Sequence, residues 1–176
     1  MTVVVAAVLI AVLTIVLVVV RNGLVRKRNR VQEAFAAVDV QLVRRHAVIP
    51  RWATAVGGAF AQERVVLARA ARAAEQARGG VVPLIGVAEG ELTAAVLELQ
   101  RFVEDHPQLG TGTHALRLHE DLLSTENRVA FARQHYNDSA MLFNTAVQTV
   151  PRNLVAALFR IRPASYLELQ LLGEQP

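Results

Sequence analysis

The chain opens on an apolar run. Val3 to Val20 is interrupted only by Thr14, and Arg21, Arg26, Lys27, Arg28 and Arg30 follow closely. As a helix rising about 1.5 Å per residue the run is roughly 27 Å long, close to the ~30 Å hydrocarbon core of a bilayer. It predicts a single spanning anchor. A cleaved secretory signal would place basic residues before the run and small residues at its end. Here only Met1 and Thr2 precede it, and Val18-Val19-Val20-Arg21-Asn22 closes it. A buried core helix rarely runs so far without a polar face. Lys and Arg beside a span stay on the cytoplasmic side. The flank therefore predicts the inner (plasma) membrane, with the N-terminus outside and the rest of the chain in the cytoplasm.

Beyond Arg30 the apolar positions follow the helical period, and no segment alternates with the period of a strand. Val31, Phe35, Val38, Leu42 and Ile49 form one stripe, in a helix that continues from the membrane. Pro50 is expected to end that helix or open the next, because its ring removes a helical hydrogen bond. A second helix is predicted over about 51–78, weakened at Gly57-Gly58, with Gly79-Gly80 as its C-cap and Pro83 as a stop. A third runs from about Val87 to Glu104 and ends at Asp105-His106-Pro107. The longest soluble helix spans about 113–150, with Thr113 as a cap. Its stripe is Leu122, Val129, Tyr136, Ala140, Phe143 and Val147. After Pro151, Asn153 caps a short helix holding Leu154, Val155, Leu158 and Phe159. The tail after Pro163 is expected to be a loose helical turn or disordered.

These elements predict an all-α protein: one transmembrane helix, then an antiparallel up-and-down bundle of about four long helices. The expected divisions are an anchor at 1–22, a bundle at 23–162 and a tail at 163–176.

Charge changes the picture in one respect. A net charge of +4 and a pI near 10.6 resemble those of a nucleic-acid binder. Segment 21–30, however, holds five of the nineteen basic residues and no acid, leaving fourteen basic against fifteen acidic residues elsewhere. The body is close to neutral, and the excess lies where anionic headgroups would meet it. Nucleic acid is therefore not an expected partner. The absence of cysteine leaves the redox compartment unspecified. Residues 79–127 carry eight acids and two basic residues, and residues 31–78 seven basic residues and four acids. Complementary neighbours in the bundle account for this, and an acidic partner-binding face is the sharper alternative.

Several polar residues stand where an apolar stripe would place Leu. Glu126 and Arg133 do so in the long helix, and Asp39, Arg45 and His46 border the stripe of the first. Asn127, Asn137 and Asn144 add amides, and Tyr136 a hydroxyl. Buried charges need partners, so these side chains are expected to pair across helices. A polar network fixing helix register is the plain expectation, and an active site the rival one. His46, His106, His114, His119 and His135 form no metal-binding motif, and no nucleophile elbow or phosphate-binding glycine loop is present. Glu89, Glu91 and Glu98 read as a solvated helix face. No catalytic, cofactor or metal residue is assigned, and no cofactor or small-molecule substrate is expected.

Residues 28–50 read RNRVQEAFAAVDVQLVRRHAVIP, and residues 126–151 read ENRVAFARQHYNDSAMLFNTAVQTVP. With the anchor, these blocks resemble the LemA family of bacterial membrane-anchored proteins. The pattern maps onto Asn29, Val31, Ala34, Asp39, Val40, Gln41, Leu42, Arg45, Ile49 and Pro50. In the second block it maps onto Glu126, Arg133, Tyr136, Asn137, Asn144 and Pro151. Arg51 stands where the family usually has Asn. The resemblance implies one N-terminal span, a short external N-terminus and a cytoplasmic antiparallel bundle. The expected function is a non-enzymatic interaction or scaffold module in envelope organisation or signalling. It would be held in the bilayer by residues 3–20 and meet a protein partner or a second copy of itself. The alternative is a membrane-proximal enzyme, or accessory subunit of one, using Asp39, Glu126, Arg133 and Tyr136 at a cleft.

Overall fold

The computed structural model describes residues 1–56, 61–106 and 111–169. Among them are five helices and no strand: α1 (Thr2–Ala55), α2 (Ala61–Ala77), α3 (Val82–Asp105), α4 (Thr113–Gln148) and α5 (Arg152–Leu158). The fold is an all-α bundle with a long apolar N-terminal extension. The first part of α1 is long and apolar enough to cross a membrane, and none of its most apolar window is buried in the protein. The same helix then becomes the central helix of the bundle without a break.

Contrary to the expected stop, α1 passes through Pro50 and ends at Ala55. Pro50 is exposed, so its ring faces away from the packed side. It removes one backbone donor, while Val48 and Trp52 on the opposite face, and Ile49 and Ala53 beside them, are buried. Packing outweighs the lost bond, and the Thr54 hydroxyl donates to the Pro50 carbonyl at 2.8 Å. Pro83 differs from expectation too. It lies in the first turn of α3, where the missing N–H would have had no helical partner, so that helix starts five residues earlier than Val87. Gly112, not Thr113, is the N-cap of α4. Pro151 holds that place in α5, which puts Asn153 inside the helix, its buried Oδ1 without a partner among the described residues.

The antiparallel pairing of α1 with α4 sets the frame. Phe35 meets Tyr136 edge to face at 5.6 Å, Arg45 meets Glu126 at 2.7 Å, and Trp52 meets His119 at 5.7 Å. Ten residues along α1 thus match ten back along α4, then seven match seven. Carried the other way, this register sets the end of α4, Gln148, level with Gly23, just past the apolar run. α2 and α3 form a second antiparallel pair laid on the first.

Two apolar clusters fill the interior. The proximal one, nearer the apolar run, joins Leu24, Val31, Val38 and Leu42 of α1 with Val129, Tyr136, Phe143 and Val147 of α4, and with Val155 of α5. The distal one joins Ile49 and Trp52 with Leu67, Ala74, Leu92, Val96, Leu99, Leu118 and Leu122.

The chain after α5 is neither helical nor detached through Leu169. Arg160 adopts a left-handed φ of 52°, and the Ile161 N–H reaches back to the Ala156 carbonyl at 2.9 Å. This closes α5 as an αL residue closes many helices. Residues 161–169 then run extended along α4, with Leu167 and Leu169 buried in the proximal core. The strand of chain crosses α3 at Gly86, where a Cβ would lie 2.4 Å from the Glu168 carbonyl oxygen.

This approach is testable against a neighbour one turn away. Gly86→Ala is expected to cost about 1–3 kcal/mol, because the obstacle is backbone and must move. Gly90→Ala, with nothing within 4 Å of its added Cβ, should stabilise by about 0.5–1 kcal/mol through helix propensity alone. Thermal unfolding of both variants in detergent checks the pair, and equal effects at the two sites would contradict the close crossing.

Candidate functional site

Between the two apolar clusters lies a buried polar centre. Arg45 is fully buried, and each of its three guanidinium nitrogens has a partner on another helix. Its Nε donates to Glu126 Oε1 of α4 at 2.7 Å, and its Nη1 to Glu89 Oε2 of α3 at 2.6 Å. Its Nη2 donates to the Thr93 hydroxyl at 2.7 Å, and that hydroxyl in turn donates to the Glu89 carbonyl at 3.0 Å. His46 Nε2 sits 2.6 Å from the other Glu89 oxygen. Desolvation alone would push the Glu89 carboxyl up. The hydrogen bond with His46 and the Arg45 charge outweigh it and hold the group below its ordinary value. Glu126 Oε2 and His46 Nδ1 are buried without a partner among the described residues.

Asn127, expected to pair across helices, is instead exposed in a groove along α1 and α4, and the other polar residues anticipated from sequence divide among three places. Arg45, His46 and Glu126 meet at this centre. Asp39 lies apart, in a partly exposed two-pronged pair with Arg78 at 2.9 and 3.2 Å. The hydrogen bond to Asp39 raises the Arg78 guanidinium above its ordinary value. Arg133, Tyr136, Asn137 and Asn144 hold the extended tail.

That third set works as a clamp on backbone. Asn144 donates to the Ala164 carbonyl at 2.9 Å and accepts from the Ala164 N–H at 2.7 Å. Asn137 does the same with Leu167, at 3.0 and 2.9 Å. The Tyr136 hydroxyl donates to the Ser165 carbonyl at 2.7 Å, and Arg133 Nη1 to the Leu169 carbonyl at 2.6 Å. The spacing has a geometric cause. Seven residues of α-helix rise about 10.5 Å, and three residues of extended chain span about 10 Å. A heptad of Asn on α4 therefore fits every third residue of the tail. Burial pushes the Tyr136 phenol up, which keeps it a neutral donor.

Glu89 and Thr93 were not anticipated. Glu89 is completely buried, whereas its supposed companions Glu91 and Glu98 are exposed. The signal was available: Ile85, Glu89, Leu92, Val96 and Leu99 keep the three-and-four spacing of an apolar stripe, with Glu standing in it as Glu126 does in α4. Of the basic residues flanking the span, Arg21, Arg26, Arg28 and Arg30 are exposed and Lys27 is partly buried. The Arg21 guanidinium lies 5.1 Å from the centre of the Phe159 ring.

Chemically, the centre joins three helices through one buried guanidinium. Among the described residues no group of three or more His, Asp or Glu side chains is placed to hold a metal ion. An open groove of about 790 Å³ runs along the outer side of α1 and α4, lined by Ala37, Gln41, Leu123, Asn127, Phe131 and His135.

Arg45→Met is expected to lose about 3–5 kcal/mol of stability, because it strands two buried carboxylates. Arg45→Met combined with Glu89→Leu and Glu126→Leu should recover most of that loss, since a well-packed apolar layer needs no desolvated charge. Chemical denaturation in detergent distinguishes the two. The acid limb follows from Glu89. Its folded-state pKa lies below the ordinary 4.5, so its contribution is present above that value and is lost as pH falls through the lowered one. Glu89→Gln should flatten this part of the stability–pH curve.

A comparison with protein families matches the LemA family model to residues 34–175, from within the first bundle helix through the tail. No curated protein matches the chain.

Proposed function

This chain belongs to the LemA family, and we propose that it is a single-pass membrane protein whose cytoplasmic bundle is a non-enzymatic interaction module. In this reading residues 1–22 form the anchor, 23–162 the bundle and 163–176 a tail, which is strapped to the bundle as far as Leu169. The N-terminus lies outside the plasma membrane. Arg21, Arg26, Lys27, Arg28 and Arg30 fix the direction of insertion and touch anionic lipid.

The observation that carries the reading is the continuity of α1 from the apolar run into the centre of the bundle. A flexible tether would let the domain tumble. A continuous helix holds it at one height and angle above the bilayer, which favours presenting a face over binding a diffusing substrate. Phe131 supplies such a face: it is 79% exposed in the groove between α1 and α4, beside the half-exposed Leu123. The buried Arg45 centre keeps the two helices lining that groove in register. The polar groups that an enzymatic reading would combine fall in three places: Asp39 pairs with Arg78, Glu126 with Arg45, and Arg133 and Tyr136 both hold the tail.

A photoreactive amino acid at Phe131, illuminated in intact membranes and followed by mass spectrometry, is expected to capture a defined protein partner or a second copy of the chain. Recovery of neither, with the same probe at Leu123 also silent, would count against an interaction face here.

A further inference from the structure

The register that ends α4 at the level of Gly23 places α5 beside the membrane boundary. Val155 and Ala156 of α5 are buried in the proximal core, and Leu17 and Val20, the last turn of the apolar run, pack against that same core. Phe159 lies under Arg21. The bundle therefore does not stand clear of the bilayer on a stalk. Its base reaches the height at which the span emerges.

What α5 shows at that height is apolar and basic. Val150, Leu154 and Leu158, spaced by four, are 71%, 67% and 65% exposed, and Phe159 is 45% exposed. Arg152, Arg160 and Arg162 are also exposed, and no acidic residue occurs between Ser139 and Leu167. Arg160 and Arg162 share a hollow with Arg28 of α1, lined further by Gln32 and Tyr136 and by no carboxylate. An exposed apolar edge rimmed by arginines is the pattern of a surface that lies in a lipid interface. Leu and Phe enter between the headgroups while guanidinium groups meet phosphates. A protein partner would not need the edge to lie level with the end of the span, whereas a membrane would.

We propose that Val150–Arg162 is a second membrane contact, in which Leu154, Leu158 and Phe159 enter the headgroup layer at the C-terminal end of the span and Arg28, Arg160 and Arg162 receive anionic headgroups. The proposal rests on reading residues 3–20 as a span. Two contacts, one across the bilayer and one along its surface, fix the tilt and the rotation of the bundle together.

The chain contains no cysteine, so single cysteines can be labelled without background. Leu154→Cys, Leu158→Cys, Phe131→Cys and Leu9→Cys, each carrying an environment-sensitive fluorophore, would be examined in the full chain. The host would be proteoliposomes of zwitterionic lipid with about a third anionic lipid, doped with spin-labelled lipids that quench at shallow or deep positions. Shallow quenching at 154 and 158 should exceed that at 131 by roughly threefold or more, and Leu9→Cys should be quenched by the deep label. Arg160→Glu with Arg162→Glu should cut the signal at 154 severalfold, as should omission of anionic lipid. Quenching at 154 and 158 no greater than at 131, with Leu9→Cys still quenched, would overturn the contact and leave the anchor standing. Absence of quenching at Leu9 would instead remove the anchor itself. Shielding of 154 and 158 that appears in lipid-free detergent and grows with protein concentration would overturn the proposal in favour of contact between copies. Unchanged thermal unfolding of the labelled variants verifies that these exposed sites leave the bundle intact.

Discussion

A guanidinium group taken wholly out of water must find every partner inside the protein, because its desolvation costs several kcal/mol and no solvent remains to share the load. Arg45 meets that demand only when α1, α3 and α4 stand in one arrangement. A slip of one helical turn along α4 would move Glu126 about 6 Å away and put Val129 or Leu122 against the charge. The apolar clusters on either side have no such discrimination, since Leu, Val and Ala pack acceptably in several registers. The centre requires partners from three helices at once, while the clusters on either side bury most of the apolar side chains.

Register at Arg45 has consequences far from it. It fixes where α4 ends relative to the apolar run, and hence where α5 turns and at what height the tail begins. The tail then returns along α4, clamped by Asn144 and Asn137 through both hydrogen-bonding groups of Ala164 and Leu167. An extended segment beside a helix would otherwise carry unpaired backbone groups. Here side-chain amides take the place of a neighbouring strand. Leu167 and Leu169 cover the proximal core, and Gly86 gives the segment room to pass α3. The same proximal core extends to Leu17 and Val20, so the packing of the bundle continues into the last turn of the apolar run.

Much of the helical layout can be read directly from residue spacing. Val31, Val38, Leu42 and Ile49, like Leu122, Val129, Tyr136, Phe143 and Val147, are buried where their periodicity puts them. Pro50 and Pro83 were misjudged because a proline's effect depends on its position in the helix and on what its neighbours bury. Neither is a local property. Glu89 was hidden by the company of Glu91 and Glu98, although its place in the stripe of α3 marked it. The partners of Asn137 and Asn144 could not be foreseen at all. They are backbone groups, which are alike at every residue, so nothing in the sequence marks Ala164 or Leu167 as their partners.

The sequence alone determined the existence and length of the apolar run, the basic flank beside it, the helical period of everything after it and the family to which the chain belongs. Each is a property of neighbours along the chain, where period and composition act directly. Only the tertiary structure decided that Arg45, Glu89 and Glu126 share one site while Asp39 stands elsewhere. It alone also showed that the tail is strapped down as far as Leu169 and that α5 lies beside the end of the apolar run. Those outcomes depend on distances between residues dozens of positions apart, and such distances are set by packing and by the satisfaction of buried polar groups.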